Sequence, residues 1–472
     1  MNMTLSLEAT FALQVCTIVI VYLLFVDKQQ IPIPLQIITG ASFVTSPAVV
    51  LERGAQSAIY VTDIVIPLVV IICARHMRID EIIHDGRVRA FLVLLLGVPL
   101  LAGTLGFVLG GGDISLLSRS MNATVLWLYR NTCGVLVFML VLSMRLTGSQ
   151  VIAWIRMNLV LVSVVAGAGV VTYLTPIDLA AFERIMPEVD PERLHHIDET
   201  RIGAGFLGLF RGSVGQWFGI QVVLFLGLLP VLERRHWPWA LVGIVLSVAV
   251  VLMSYSRAGV IGMAVGILAL SVFGKGLYQR SYGVLGAALV VIIAFTQLDV
   301  IGDRLESIFT HGDRASAGRI IAWERSLNVF ATELETFAVG VGPTNRQAVF
   351  KLIGAYGAHN EYIDAIFRMG VLGPIAILMV LYKLVSSYWK LRRSREADVR
   401  YLGSTMVAVI IANAAIGLTQ ANLLHDYSGY TCWLFMYLLY GVTTSTTLST
   451  MPVVSQPQTD ASGELNRFGQ TV

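Results

Sequence analysis

One histidine and four arginines stand beside long apolar stretches of this chain. His359 opens a segment rich in Ile, Phe and Met, and the arginines come from separate segments. They are Arg201, Arg211, Arg257 and Arg319. The planar guanidinium group suits phosphate oxygens, and an imidazole can take a proton from a hydroxyl group near neutral pH. Together these residue types are typical of a transferase that uses a diphosphate-activated donor.

The arginines also have structural interpretations. Arg211 could anchor a helix end among lipid headgroups, and Arg257 could cap the carbonyl groups of a helix. Arg325 lies further along, and we expect it to pair with Glu324 or Glu333 on a solvated helix. Taken together, the arginines and His359 map to the outer rim of one bundle, and this grouping favours a donor-binding role.

The residues after His359 have ordinary explanations in helix capping. Asn360 is a good N-cap for a helix that starts at Glu361. Glu361 and Asp364 suit the positive end of the helix dipole, and Asp364 and Arg368 have the spacing of a helical ion pair. His359 contributes nothing to capping, so it remains the candidate base.

The elements that must position these residues are membrane helices. Of the 472 residues, 56% are hydrophobic and 13% are charged, and the mean hydropathy is +0.74. Soluble domains carry about 25% charged residues. Runs such as 91–110 and 151–174 are apolar on every face, and only helices satisfy their own backbone inside such a span. The four cysteines fit neither a metal site nor a disulfide framework.

Length and hydropathy predict an all-α, polytopic membrane helix bundle of about 12–13 transmembrane helices. The first 26 residues lack a basic start, so we interpret them as a first span and not as a cleavable signal. The candidate spans lie near 8–26, 31–51, 57–75, 89–111, 121–146, 150–173, 214–232, 237–253, 257–274, 281–298, 361–385, 402–421 and 428–447.

The charge of the short loops predicts the orientation. Four of them are basic, and with this span count they fall on one side, which the positive-inside rule makes cytoplasmic. They are residues 74–89, 233–236, 275–280 and 383–400. Two long loops, 175–213 and 299–360, then lie on the outer side, and long loops in a compact bundle are usually functional.

The second long loop contains a predicted helix and a breaker. Residues 320–334 have helical periodicity, and GVGPT at 340–344 should end the helical stretch. The apolar face is expected to comprise Ile321, Trp323, Leu327, Phe330 and Leu334.

The chain has no pair of Asp residues two apart and no Gly-rich phosphate loop. Because a soluble nucleotide donor would not be available outside, a diphosphate carried on a lipid fits better.

Several short motifs in this half of the chain follow one order. An S-x-x-R motif with a nearby Trp precedes G-x-G, and His-Asn then heads a helix that ends in Gly. The residues are Ser316, Arg319, Trp323, Gly340, Gly342, His359, Asn360, Gly370 and Gly373. In the order and spacing of these motifs, the chain resembles the O-antigen ligase and polymerase superfamily of bacterial envelope glycan enzymes. SRAG (256–259) is similar to a Ser-Arg turn of that family, and Arg201 with Gly203 to its arginine before the middle spans. The resemblance covers roughly residues 200–385.

The resemblance implies a function and an assignment of roles. Such enzymes are multi-span proteins at the periplasmic face of the bacterial inner (cytoplasmic) membrane. They pass a glycan from undecaprenyl diphosphate to a sugar hydroxyl without a metal ion or other cofactor. Arg201, Arg257 and Arg319 would bind the donor diphosphate and His359 would be the base. Many members have an Asn or Pro-Asn after the first arginine, whereas this chain has RGSVGQ (211–216), so Arg211 is an alternative to Arg201.

The same resemblance places further residues near substrate and names partners. Trp323, Asn360, Glu361, Tyr362 and Arg368 are expected in the substrate vicinity. The donor would be a glycan on undecaprenyl diphosphate, and the acceptor a sugar on a lipid-linked repeat unit or on the lipid A core. The first acceptor describes a polymerase of O-antigen or exopolysaccharide, and the second the ligase of lipopolysaccharide biosynthesis. Membrane lipids and proteins of chain-length control or export are further expected partners, and nucleic acid is not.

These expectations divide the chain into six parts. The parts are N-terminal transmembrane helices (1–174), a first long periplasmic loop (175–213), central transmembrane helices (214–298), a large periplasmic loop carrying the catalytic residues (299–360), C-terminal transmembrane helices (361–447) and a disordered cytoplasmic tail (448–472).

Other classes of protein fit the sequence less well. The alternative is a transporter of an anion or an envelope precursor. Transporters usually bind near the midplane, in broken helices of two related halves, whereas these charges cluster at one rim and no repeat is evident. A scaffold without catalytic activity would leave His359 unexplained.

Overall fold

Helices dominate the computed structural model of the chain. It describes residues 3–4, 7–25, 31–44, 49–50, 58–77, 79–109, 114–174, 177–178, 211–254, 256–296, 314–342, 346–354, 357–420 and 430–449. The strands in these ranges have two residues each: β1 (Met3–Thr4) is parallel to β4 (Ile177–Asp178), and β2 (Val49–Val50) is antiparallel to β3 (Ala58–Ile59). The predicted all-α class is confirmed. Most of the first long loop and the tail from residue 450 lie outside the described residues.

The helices of the N-terminal half follow the predicted spans. They are α1 (Leu7–Phe25), α2 (Ile33–Ser42), α3 (Val61–Cys73), α4 (Ile79–Ile83), α5 (Gly86–Leu92), α6 (Val98–Leu109), α7 (Ile114–Ser143) and α8 (Gly148–Leu174). A π-helical turn, Val93–Gly97, joins α5 to α6 without a break. A 3₁₀ turn, Ala74–His76, follows α3.

The second half adds further long helices and a group of short ones. They are α9 (Arg211–Leu228), α10 (Trp237–Met253), α11 (Arg257–Phe273), α12 (Gly276–Thr296), α13 (Arg314–Thr332), α14 (Leu334–Val339), α15 (Arg346–Ile353), α16 (Glu361–Met369), α17 (Leu372–Leu391), α18 (Ala397–Gly417) and α19 (Tyr430–Ser449). Two 3₁₀ turns, Leu229–Val231 and Arg234–His236, lie between α9 and α10.

The protein is a multi-pass membrane protein. Among the described residues, five helical segments are long and apolar enough to cross a bilayer: Gly148–Val171, Val214–Val231, Arg234–Met253, Leu372–Leu391 and Ala397–Gly417. Shorter apolar segments occur in α1, α2, α7 and α11. Large aliphatic side chains such as Ile72, Val245 and Ile375 are exposed on the helix surfaces, as expected where helices face lipid. The total of 12–13 spans stays a prediction.

The predicted span 361–385 is wrong as a single helix. α16 ends at Met369, Gly370 has a φ of 65°, and α17 begins at Leu372. A positive φ interrupts a right-handed helix and favours glycine. The signal was present in the sequence, because GVLGP (370–374) holds two glycines and a proline.

A second, smaller hydrophobic core lies beside the core of the bundle. Its buried members are Ala322, Phe330, Val349, Ile353 and Phe367. They come from α13, α15 and α16, and the rings of Phe330 and Phe367 lie 4.7 Å apart. We call α13, α14 and α15 the cap. The described part of the large loop, from Arg314 onward, is therefore helical and packed, and it contains the predicted internal helix.

The face that α13 buries differs from the prediction. The buried residues are Ala322, Ser326 and Phe330, which follow each other at one-turn spacing. Ile321 and Leu327 are 43% and 62% exposed, and Leu334, at the start of α14, is 73% exposed. Of the predicted face, Phe330 is buried and Trp323 is partly buried. Small residues make the rest of the close contact, so a count of large apolar residues selected this face only in part.

The basic loops lie together at the end of the bundle away from the cap. Side-chain contacts join neighbouring elements around this end. Arg145 pairs with Glu81, Arg156 Nη2 lies 2.7 Å from Glu233 Oε1, Gln279 Nε2 donates to Gly227 O at 2.7 Å, and Arg392 Nε donates to Phe273 O at 2.9 Å. The grouping of these loops agrees with the sequence prediction that they share one side.

A buried ion pair connects α3 to α7. Arg130 is fully buried, and its Nη2 and Nε lie 3.0 and 3.2 Å from the two carboxylate oxygens of Asp63. Asp63 also accepts a hydrogen bond from Tyr60 N at 2.9 Å, and the hydroxyl of Tyr129 donates to its carbonyl group. Charges inside a membrane bundle are costly unless they are paired, so each partner here depends on the other.

Replacing Arg130 with methionine should destabilise the bundle strongly. The change leaves the Asp63 carboxylate buried without its counter-charge, and breaking such a pair costs about 3–5 kcal/mol. We expect a lower thermal unfolding midpoint in detergent, followed by tryptophan fluorescence. Arg145→Met, which removes a solvent-exposed pair with Glu81, is the matched control and should change little. An unfolding midpoint for Arg130→Met equal to that of the control would contradict the structural role of the pair.

Candidate functional site

The junction of cap and bundle brings together Arg257 and Arg319. Arg257 is the exposed first residue of α11, and Arg319 is partly buried on α13. Burial lowers the pKa of Arg319 below its ordinary value, and the nearby charge of Arg257 lowers that pKa further. An anion bound between two guanidinium groups offsets their repulsion and accepts hydrogen bonds from both. The arrangement therefore suits a phosphate or diphosphate ligand.

A close helix crossing places the start of α9 beside the start of α11. A Cβ added to Gly259 would lie 2.4 Å from the carbonyl oxygen of Gly215, so only glycine permits this contact. The backbone of Arg211 lies one turn before Gly215, and that of Arg257 lies two residues before Gly259. Two arginine backbones thus lie close together at one end of the bundle.

The N-terminus of α11 is capped by Ser256. Its Oγ accepts a hydrogen bond from Gly259 N at 3.1 Å, and Ser254 Oγ accepts one from Ser256 N at 3.2 Å. A cation at the first position opposes the helix dipole. The helix dipole therefore does not account for an arginine at the start of α11. Arg201 lies outside the described residues.

His359 is exposed and has an unusual backbone conformation. Its φ is 50°, in the left-handed region. Histidine is among the residues that tolerate this region, but the conformation costs about 1 kcal/mol or more and persists only when neighbours impose it. Strain of this kind clusters at functional sites.

The residue before His359 is held on both sides. Ala358 is fully buried, and its N–H donates to Asp364 Oδ1 at 2.7 Å. Its carbonyl oxygen accepts from Trp323 Nε1, also at 2.7 Å. We call these two hydrogen bonds the Ala358 clamp. The clamp joins the cap, through Trp323, to α16, through Asp364.

Asn360 is the predicted N-cap of α16. Its Oδ1 accepts from Tyr362 N at 3.0 Å and Ile363 N at 3.2 Å, and its Nδ2 donates to Leu418 O at 3.1 Å. Asn360 therefore caps one helix and ties it to the end of α18. The capping prediction is confirmed.

The other polar residues of α16 face different surroundings. Glu361 is fully buried, and Tyr362 donates from its hydroxyl to Ala414 O at 3.1 Å. Arg368 is partly buried in the last turn. Contact of Glu361, Tyr362 and Arg368 with substrate stays a prediction.

Two glycines of the predicted motifs touch each other. Gly340 and Gly370 have φ values of 80° and 65°, and a Cβ on Gly340 would lie 2.7 Å from Gly370 N. Two backbone hydrogen bonds flank the contact, from Val341 N to Phe367 O at 2.6 Å and from Val371 N to Phe337 O at 2.8 Å. We call this contact the glycine clasp. It explains Gly340 as a packing requirement between cap and bundle. Gly342 has open space around it, and its φ of 97° is what favours glycine there.

Helix α13 connects the arginine pair to the histidine. Arg319 and Trp323 are one turn apart, or ~6 Å along the helix axis, and Trp323 contacts Ala358 directly. Arg325 on the same helix donates to Ile353 O at 3.0 Å. The expected ion pair of Arg325 with Glu324 or Glu333 is therefore replaced by a bond that holds the end of α15.

Residues 242–378 match the O-antigen ligase family. This confirms the resemblance predicted from the motifs and indicates glycan transfer of the O-antigen ligase or polymerase type. The match spans less than a third of the chain. It includes Arg257, Arg319 and His359, and it begins after Arg201 and Arg211. The comparison with curated proteins found no match.

Sequence reasoning missed the role of two residues at this site. Asp364 was assigned to the helix dipole and to Arg368, and Trp323 to the substrate vicinity. A capping box uses an acidic residue three positions after the N-cap, whereas Asp364 is four positions after Asn360. No local pattern identifies its bond to Ala358 N. Among the described residues, no group of three His, Cys, Asp or Glu side chains is placed to hold a metal ion.

Proposed function

We propose that this protein transfers a glycan from undecaprenyl diphosphate to a sugar hydroxyl at the periplasmic face of the inner membrane, without a metal ion. The observation that carries the proposal is the arrangement of Arg257 and Arg319 next to the loop of His359. All three residues lie within the range that matches the O-antigen ligase family. Cationic groups for a leaving diphosphate and a base for an alcohol are the two requirements of this reaction.

The proposed reaction assigns each group one task. The acceptor hydroxyl oxygen attacks the anomeric carbon of the donor glycan, and the hydroxyl proton passes to the imidazole of His359. The bond from that carbon to the diphosphate oxygen breaks, and the lipid diphosphate leaves with the electron pair. Arg257 and Arg319 stabilise the negative charge that develops on the diphosphate. Arg211 has a backbone position suited to the same task, and Arg201 remains its alternative.

The distribution of charge supports the proposed orientation. The basic loops gather at one end of the bundle and the cap lies at the other. The positive-inside rule assigns the basic end to the cytoplasm. The cap and the arginine pair then face the periplasm, where lipid-linked glycans are available and soluble nucleotide donors are not.

Two acceptors fit the same donor chemistry. A sugar on a second lipid-linked repeat unit makes the protein a polymerase of O-antigen or exopolysaccharide, and a sugar on the lipid A core makes it a ligase. Deleting the gene and separating the envelope polysaccharides on a gel distinguishes the two. Single-repeat products indicate a polymerase, and long chains left on the carrier lipid indicate a ligase. Unchanged polysaccharides would contradict both.

His359→Ala should abolish transfer and leave donor binding intact. The variant lacks the group that takes the acceptor proton, and removal of a general base typically costs about 10²–10⁴-fold in rate. We expect this loss in single-turnover assays with purified enzyme in nanodiscs. His76→Ala, at the opposite end of the bundle and exposed, is the control. Transfer by His359→Ala at the wild-type rate would remove the catalytic assignment.

Arg319→Gln should weaken binding of the lipid diphosphate. Losing a hydrogen bond to a charged group costs about 1.5–3 kcal/mol, which corresponds to an increase in Kd of about 10- to 100-fold. Arg325→Gln removes an arginine from the same helix whose guanidinium group is directed to Ile353 O, and it should retain the wild-type Kd. Equal donor affinity for the two variants would show that Arg319 is not a donor ligand.

A further inference from the structure

The immediate neighbours of His359 leave it little backbone freedom. Ala358 uses its N–H and its carbonyl group in the Ala358 clamp, and Asn360 uses its side chain to cap α16 and to contact Leu418. His359 lies between these two fixed residues with a φ of 50°. Its own side chain remains exposed. The surroundings therefore fix the direction in which the imidazole leaves the backbone.

The two partners of Ala358 come from different parts of the structure. Trp323 lies on α13, one turn from Arg319, and Asp364 lies on α16. Asp364 is itself buried, and its Oδ1 approaches the peptide group of Ala358 at 2.7 Å. A buried carboxylate directed at a backbone N–H holds that group more strongly than a neutral acceptor would. The Ala358 clamp therefore sets the position of the histidine relative to the arginine on α13.

We propose that Trp323 and Asp364 are positioning residues, which hold Ala358 between them so that His359 keeps its left-handed backbone and its place beside the donor arginines. This inference rests on the proposed function of His359 as the base. Neither residue needs to touch the reacting atoms. Trp323 acts through its indole N–H and not through stacking on a sugar, and Asp364 acts through Oδ1 and not as a second base.

A positioning role and a direct contact with substrate predict different results for conservative variants. Asp364→Asn keeps an oxygen acceptor for Ala358 N–H, whereas Asp364→Ala removes it. Trp323→Phe keeps a ring in the partly buried site and removes only the N–H. A role in sugar stacking would survive Trp323→Phe, since aromatic rings stack through their faces. A positioning role would not.

Transfer kinetics test the catalytic half of the proposal. Asp364→Ala and Trp323→Phe should lower kcat by about 10²-fold, the loss expected from misplacing a catalytic group by about 1 Å, while the Kd of the lipid-linked donor stays within about twofold of wild type. Asp364→Asn should recover most of the activity. Trp389→Phe and Asp398→Ala, at the opposite end of the bundle, should keep the wild-type kcat. Wild-type kcat in both clamp variants would overturn the proposal.

Hydrogen exchange tests the structural half without reference to activity. Mass spectrometry of the peptide that contains Ala358 should show slow exchange of its amide in the wild type and faster exchange in Asp364→Ala. In Asp364→Asn the amide of Ala358 should exchange slowly, because the amide oxygen of Asn still accepts its hydrogen bond. This variant provides the comparison with the wild type where Asp364→Ala does not fold. Equal exchange in all three proteins would overturn the clamp. If His359→Ala transfers glycan normally, the proposed function fails, while the exchange data still report whether the clamp exists.

Discussion

Helix α16 belongs to two hydrophobic cores at once, and the arrangement of the site depends on this. Ile363, Ile366 and Phe367 pack into the core of the cap, whereas Ala365 and Met369 pack into the core of the bundle. A helix of nine residues has no independent stability, so these two contacts hold it in place. The cap and the membrane bundle are thereby connected by the helix that begins at Glu361, two residues after His359.

This shared helix explains why charged groups collect at the junction. Hydrocarbon excludes unpaired charge, whereas the junction lies between two packed cores. Arg257 lies on a helix of the bundle and Arg319 on a helix of the cap. Because each helix is packed separately, the two charges stay near each other despite their repulsion. A donor diphosphate bound between them would join cap to bundle.

Much of this could be predicted from the sequence. Apolar length located the long helices, Asn360 marked the start of α16, and the order of arginine, glycine and histidine motifs led to the family that residues 242–378 match. The break at Gly370 was missed because the two glycines and the proline of GVLGP (370–374) were included in one apolar span. The face of α13 was predicted only in part, because its buried contact also uses the small residues Ala322 and Ser326. The bonds of Trp323 and Asp364 to Ala358 join residues from separate helices, which single-sequence periodicity does not report.

The glycine clasp also makes the chain between Gly340 and Gly370 a loop that is closed at its base. Doubling the length of a closed loop costs only about 0.6 kcal/mol in chain entropy, and the helices outside the base keep their register. A change of length between Gly342 and Gly357 would therefore leave the membrane helices in place, provided that Val349 and Ile353 still fill the core of the cap. The contact of two glycines thus separates the length of the chain above the bundle from the packing of the helices within it.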